Sequence, residues 1–224
     1  MTTLTPLEPF LIEGPGGRLD GRLELPDPAL HAAPRFLAVF GHPHPLHGGT
    51  MQNSVVVHGA RALSARGGVV ARFDFRGVGR STGRHDEGRG ELADYREVAA
   101  FLRGRVQARL PLLAAGFSFG SIRALEVAAA GEADGWLGVA PPLTLAKYAG
   151  RVPERVAARA ALVLAGADEL VAAPSPEELS HRFADLRGVE VVAGAGHLFF
   201  GRIREVAAAV GRAAATLGFG APPS

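Results

Sequence analysis

Three side chains combine the residue types and the order along the chain that acyl transfer through a serine requires. Ser118 stands in the pentapeptide GFSFG, Asp168 ends the run ALVLAGAD, and His197 follows VEVVAGAG. A serine hydroxyl is a weak nucleophile near neutral pH, so it needs a base within hydrogen-bond distance and a third group that orients the base. The order serine, acid, histidine is one of the arrangements in which such a set occurs. This pattern predicts Ser118 as nucleophile, His197 as base and Asp168 as the orienting acid.

Each of these residues also has a simpler interpretation. GxSxG arises by chance in glycine-rich chains, where the serine would only cap the following helix. His197 could be a structural histidine with satisfied hydrogen bonds, and Asp168 could cap loop backbone, with Glu169 as the substitute acid. Position favours the chemical interpretation, because only His181 and His197 follow Ser118. His181 is predicted on the solvent side of a helix.

Two backbone N–H groups are needed to stabilise the negative charge on a carbonyl oxygen that a serine attacks. One comes from the residue after the nucleophile, which is Phe119, and the other from the loop GHPHPLHGGT. Pro43 and Pro45 have no N–H group, which leaves His42 and His44 as candidate donors within HPHP. We favour His44, because it lies one step beyond the predicted strand end.

The same loop contains the pattern HxHxxH, formed by His42, His44 and His47, which is typical of histidine clusters in zinc hydrolases. No acidic residue lies among the three, and the prolines on both sides of His44 restrict their convergence on one ion. The sequence therefore predicts no metal and no other cofactor. Loss of activity on chelation, restored by zinc, would reverse that prediction.

A second glycine-rich segment, DFRGVGRSTG, has a glycine spacing that suits neither a dinucleotide-binding loop nor a phosphate-binding loop. We interpret it as a shaped loop. Asp74 and Arg76 within it either pair with each other or are solvated charges.

Around these residues, short apolar runs alternate with longer helical patterns, which is typical of a parallel sheet with helices on both faces. An antiparallel pair near 10–13 and 22–25 is predicted before the strands FLAVFG, VVARFDF, LLAAGF, GWLGVA, ALVLAGAD and VEVVAGAG. Helices are predicted over about 52–65, 92–106, 121–130 and 203–217. Another helix is predicted from a capping box at Ser175 and Glu178, with Leu179, Phe183 and Leu186 as its buried face.

Bulk properties exclude several classes of protein. The 224 residues suit a single domain over 1–224 with short loose ends. The absence of cysteine removes disulfides, thiolate metal sites and a cysteine nucleophile, and a net charge of +2 argues against a nucleic-acid partner. Because the chain has no signal segment and no long apolar run, we expect a cytoplasmic protein without a membrane partner, as a monomer or homodimer.

Taken in order, GHPHPLHGGTMQN, RFDFRGVGRSTG, GFSFG, GADELV and GHLFFG resemble the α/β-hydrolase superfamily, in particular its small bacterial carboxylesterases and dienelactone-hydrolase-like members. The resemblance covers about 36–201. It implies an α/β-hydrolase fold, a catalytic triad of Ser118, Asp168 and His197, and oxyanion amides at His44 and Phe119. Dienelactone hydrolases proper use a cysteine nucleophile, so the resemblance implies ordinary esters or thioesters as substrates.

The segment between the strand GWLGVA and the strand of Asp168 is short, so it can form only a minimal cap. Such a cap predicts an open site for small esters, cleaved through a covalent acyl-enzyme on Ser118. The predicted pocket is lined by His42, Leu46, Leu145, Tyr148 and Leu198. Three alternatives stay open: a peptidase or acyltransferase with the same triad, a metal-dependent hydrolase, and a catalytically silent binding module.

Overall fold

A computed structural model describes residues 7–14, 16–106, 109–148, 150–151 and 153–220. The strands are β1 (Leu7–Gly14), β2 (Gly17–Glu24), β3 (Phe36–Gly41), β4 (Gly68–Phe73), β5 (Leu112–Phe117), β6 (Gly135–Val139), β7 (Val156–Ala165) and β8 (Phe183–Val192). The helices are α1 (Ser54–Ser64), α2 (Arg89–Arg105), α3 (Phe119–Ala129), α4 (Pro176–Arg182) and α5 (Ile203–Thr216). The strands form one sheet in the order β1-β2-β4-β3-β5-β6-β7-β8. Strands β3 to β8 run parallel, and β1 and β2 are antiparallel to their neighbours, so the predicted α/β architecture is confirmed.

The central strands are apolar along their whole length because helices cover both faces of the sheet. Every residue of β3 and β5 is buried. One face packs against α2 and α3, where Tyr95, Leu102 and Ile122 join the core, and the other packs against α1 and α5 through Val56 and Val210. No helix in the described ranges combines the length and apolar character needed to cross a bilayer.

The prediction was wrong at the boundary between α4 and β8. The capping box at Ser175 starts a helix as predicted, but the helix ends at Arg182, so Phe183 and Leu186 belong to β8. Phe183 pairs in register with Val156 of β7 and stacks on Trp136 with ring centroids 5.1 Å apart. The ladder with β7 and this aromatic contact outweigh the helical spacing of the apolar residues.

The carboxyl ends of the parallel strands meet at one edge of the sheet, which is where α/β proteins place their sites. Loops after β3, β5, β6, β7 and β8 surround this edge. Among its described residues, the segment between β6 and β7 forms one short 3₁₀ turn, Ala146–Tyr148, so the predicted minimal cap is confirmed.

Candidate active site

Ser118 lies at a tight turn between β5 and α3, and its backbone is strained. Its φ of 50° and ψ of −117° lie in a region that residues with a side chain rarely occupy. The Ser118 N–H donates to the carbonyl oxygen of Val139 at 2.9 Å, which holds the turn against the neighbouring strand. A Cβ at Gly116 or at Gly120 would come within 2.3 Å of backbone atoms, so the close approach of strand and helix requires both glycines.

The structure brings Ser118, Asp168 and His197 into one hydrogen-bonded chain. His197 Nε2 lies 3.0 Å from Ser118 Oγ, and His197 Nδ1 lies 2.8 Å from Asp168 Oδ2. A proton on Nδ1 that is donated to the carboxylate leaves Nε2 as the acceptor for the serine hydroxyl. The His197 side chain is almost fully buried, so little water competes for this contact.

The carboxylate of Asp168 is itself held in place by the backbone of its own loop. Its Oδ1 accepts hydrogen bonds from the N–H groups of Leu170, at 3.0 Å, and Val171, at 2.9 Å. The other oxygen is therefore presented to His197 in one orientation. The backbone of Leu170 and Val171 is therefore held next to the imidazole of His197.

Glu169, the alternative acid in the sequence, has a different position. Its Oε2 accepts a hydrogen bond from the backbone N–H of His197 at 3.1 Å, and it does not contact the imidazole nitrogen that Asp168 holds. A Cβ at Gly196 would lie 2.6 Å from the same oxygen, so glycine is needed beside this contact. Asp168 thus orients the side chain of His197, and Glu169 orients its backbone. No pattern in the sequence indicated the contact between Glu169 and the His197 backbone.

His44 borders the cavity in front of Ser118, in the loop after β3. Phe119 is the first residue of α3, so its N–H has no acceptor within the helix. The side chains of these two predicted amide donors touch, with ring centroids 5.1 Å apart. The Phe119 ring also packs against His85, at 5.9 Å, and beneath the Arg123 guanidinium, at 5.1 Å. Sequence reasoning singled out neither of these two supporting residues.

His42 is not part of the cavity wall, which corrects the prediction. It is fully buried, its Nε2 accepts a hydrogen bond from the Phe75 N–H at 3.0 Å, and its Nδ1 donates to the Pro43 carbonyl at 2.6 Å. Burial is the main cause that lowers the pKa of His42 from 6.5 to about 4, so the ring is neutral near pH 7. With both nitrogens used, His42 ties the start of the loop to the end of β4.

Because both of its ring nitrogens are hydrogen-bonded within the protein, His42 does not serve as the first metal ligand of the HxHxxH pattern. Within the described parts of the chain, no group of three or more histidine or acidic side chains is arranged to hold a metal ion. His44 and His47 do lie together, with ring centroids 4.6 Å apart, but His42 points away into the protein. The metal-dependent alternative therefore gains no support from the geometry.

Two charged side chains, one in β4 and one just after it, hold the far end of the loop that follows β3. Asp74 Oδ1 accepts a hydrogen bond from the Met51 N–H at 2.7 Å, and Arg72 donates to the Met51 carbonyl at 3.0 Å. Burial raises the pKa of Asp74. Neither alternative for Asp74 and Arg76 is correct, because Asp74 is buried and Arg76 forms an ion pair with Asp94 at 2.6 Å.

A cavity of about 540 Å³ opens over Ser118 and His197. Of the predicted wall, Leu145, Tyr148 and Leu198 line it, whereas Leu46 is 68% exposed and lies outside it. Leu46 belongs to a 3₁₀ turn, Pro45–His47, in which no residue is buried. None of the described residues that line the cavity is an aspartate, glutamate, lysine or arginine.

Known proteins of similar sequence and fold include serine hydrolases. A family model described as serine aminopeptidase S33 matches residues 44–187. An uncharacterized protein of Rickettsia prowazekii is 30% identical over 205 residues, which is 88% of this chain and 84% of that protein. An α/β serine hydrolase homologue from Coxiella burnetii is 33% identical, with a TM-score of 0.79 over 92% of this chain and 96% of that one. An α/β serine hydrolase without a lid from Xanthomonas campestris is 29% identical, with a TM-score of 0.82 over 98% of both chains.

Proposed function

The chain belongs to the α/β-hydrolase family of serine hydrolases, and on that premise we propose that it hydrolyses small carboxylic esters through an acyl-enzyme on Ser118. The observation that carries the proposal is the unbroken hydrogen-bonded chain from Asp168 through His197 to Ser118, at a serine with a strained backbone. Strain of this kind persists only where the surrounding structure enforces it, and it is typical of functional sites.

In the proposed mechanism, His197 Nε2 takes the hydroxyl proton of Ser118 while Ser118 Oγ attacks the ester carbonyl carbon. The amides of His44 and Phe119 donate hydrogen bonds to the resulting oxyanion. The alcohol leaves with the proton from His197, and a water molecule then attacks the acyl-enzyme with His197 again as the base. Asp168 stabilises the charged imidazolium that forms in both steps.

An ester fits the cavity better than a peptide with a free amino terminus, although the matching family model is described as an aminopeptidase. An aminopeptidase must hold the α-ammonium group of its substrate, and a buried ammonium needs an anionic partner. The described lining offers no carboxylate for this purpose. A neutral ester or thioester needs none.

The minimal cap supports short acyl groups. The segment between β6 and β7 borders the site and contributes Leu145 and Tyr148 to the cavity wall. We expect activity on aryl esters to be highest from acetyl to butyryl. A preference for acyl chains of ten or more carbons would contradict this.

The test is labelling with a fluorophosphonate probe, followed by an ester, thioester and amide panel. Wild type should be labelled and should favour esters, whereas Ser118→Ala should lose both labelling and hydrolysis. Ser180→Ala, at an exposed serine of α4, is the matched control and should behave as wild type. A folded wild type that is not labelled would support the silent binding module. Efficient transfer to an added alcohol or amine would support the acyltransferase.

A further inference from the structure

We propose that the alcohol part of the substrate is apolar, an alkyl or aryl group held against Leu170, Val171 and Leu198. This inference rests on the proposed function and adds the class of the leaving group to it. It follows from where the departing alcohol must lie and from which side chains are found there.

The position of the alcohol follows from the proton transfer. When the tetrahedral intermediate collapses, the bond from the carbonyl carbon to the alcohol oxygen breaks and its electron pair stays on that oxygen. The same oxygen takes the proton from His197 Nε2 and leaves as a neutral alcohol. A proton donor must be within about 3 Å of its acceptor. The alcohol oxygen therefore lies beside His197, and its carbon substituent lies against the side chains that surround His197.

The residues that surround His197 have their backbone held close to this proton donor. Leu198 directly follows His197, and Leu170 and Val171 donate their N–H groups to the Asp168 carboxylate that orients the imidazole. All three line the cavity. Leu170 is 59% exposed and Leu198 is 39% exposed, so each has apolar surface that a bound alkyl or aryl group would remove from water.

The polar lining residues other than the triad lie mostly on the other side of the serine, and Tyr148, after β6, is the exception among the described residues. His44, His47 and Asn53 follow β3, which neighbours β5 on the side away from β6, β7 and β8. The strand order therefore divides the cavity into a polar wall after β3 and an apolar wall after β7 and β8. The side chains of Leu170, Val171 and Leu198 carry neither charge nor hydrogen-bonding atoms, so the apolar wall suits neither sugars nor phosphorylated leaving groups.

The first measurement compares acetates that share one acyl group and differ only in the alcohol: methyl, hexyl, benzyl, and a diethylene glycol ester of about hexyl length. Because kcat/KM for such a series reports acylation, it isolates recognition of the alcohol. Wild type should favour hexyl over methyl acetate, and hexyl over the glycol ester, by about tenfold each. Equal values across the series would overturn the inference.

The second measurement repeats the hexyl-to-methyl ratio in variants. Leu170→Asn and Leu198→Asn should lower the ratio by about fivefold each. Leu46→Asn is the matched control, because Leu46 is an exposed leucine outside the cavity, and the ratio should not change. An unchanged ratio in both cavity variants, or an equal fall in the control, would contradict the assignment.

Fluorophosphonate labelling separates failure of this inference from failure of the proposed function. If wild type is labelled and hydrolyses methyl acetate but shows no preference among the alcohols, the leaving-group inference alone is wrong. If wild type is neither labelled nor active on any acetate, the proposed function is wrong and this inference with it.

Discussion

Two of the segments that border the cavity, the loop after β3 and the cap between β6 and β7, are held by different contacts. The loop after β3 is fixed by buried polar contacts at both ends, through His42 to Phe75 and through Met51 to Asp74. The cap segment between β6 and β7 is tied to the acid loop by the Thr144 hydroxyl, which donates to the Ala172 carbonyl at 3.0 Å in an exposed position. Buried hydrogen bonds resist displacement far more than exposed ones. We therefore expect the loop that carries a predicted oxyanion amide to be held more rigidly than the exposed part of the cap around Thr144, whereas the buried Leu143 and Tyr148 anchor the rest of the cap in the core.

The largest effect on stability should come from protonation of His42 at low pH. Its folded pKa of about 4 lies below its ordinary value of 6.5, so the unfolded chain binds more protons between these pH values. Stability is therefore fully present above pH 6.5 and is lost as pH falls towards 4, by about 3 kcal/mol. Denaturant unfolding of wild type and His42→Gln at pH 7.5 and pH 4.5 measures this loss. Between these two pH values, the unfolding free energy of the variant should fall by about 3 kcal/mol less than that of wild type. An equal fall in the two proteins would contradict the prediction.

A glycine in each segment offers a matched pair. A Cβ at Gly49 would lie 2.0 Å from the Pro43 carbonyl oxygen, whereas a Cβ at Gly150 of the cap would meet no heavy atom. Gly49→Ala must shift the loop by about 1 Å, which lowers kcat/KM by about 100-fold. Gly150→Ala should stay within about twofold of wild type. Ester hydrolysis by both variants gives the answer, and equal losses would remove the proposed difference between the two segments.

Removing the clamp on Met51 should have a smaller effect. Asp74→Ala leaves the buried Met51 N–H without an acceptor, at a cost of about 2 kcal/mol in unfolding free energy. Asp74→Asn keeps an oxygen acceptor at this position and should retain about half of that stability. Thermal and denaturant unfolding measure both. A stability equal to wild type in the alanine variant would show that the clamp does not hold the loop.

The smallest effect is expected in the cap. Thr144→Val deletes the exposed hydrogen bond to Ala172 and keeps the shape of the side chain, so stability should change by no more than about 0.5 kcal/mol. Hydrolysis of acetyl and butyryl esters should stay within about twofold. A tenfold loss would mean that the cap is as rigidly held as the loop after β3.

The sequence predicts the residues that meet at the sheet edge because their positions follow from local rules. A glycine on each side of Ser118 identifies the tight turn, and parallel strands bring Asp168 and His197 to the same edge. Spacing alone did not separate α4 from β8, since Phe183 continues a helical pattern until its pairing with Val156 is known.

The partners of charged and polar groups escaped prediction for a related reason. Arg76 bonds to Asp94, and His42 bonds to the Phe75 backbone, across distances along the chain that no local pattern encodes. The same holds for Glu169, whose acceptor role depends on how the loop of His197 folds back over the sheet. Local spacing therefore located the reacting groups, whereas tertiary contacts determine which residues support them.

The touching rings of His44 and Phe119 couple the packing of two positions that are distant in the chain. A larger or smaller side chain at one of them changes the packing of the other. The distance between the two backbone amides then changes as well. Replacements at positions 44 and 119 should therefore be non-additive in a double-mutant cycle. In related chains, a change at one position is expected to be tolerated mainly alongside a compensating change at the other.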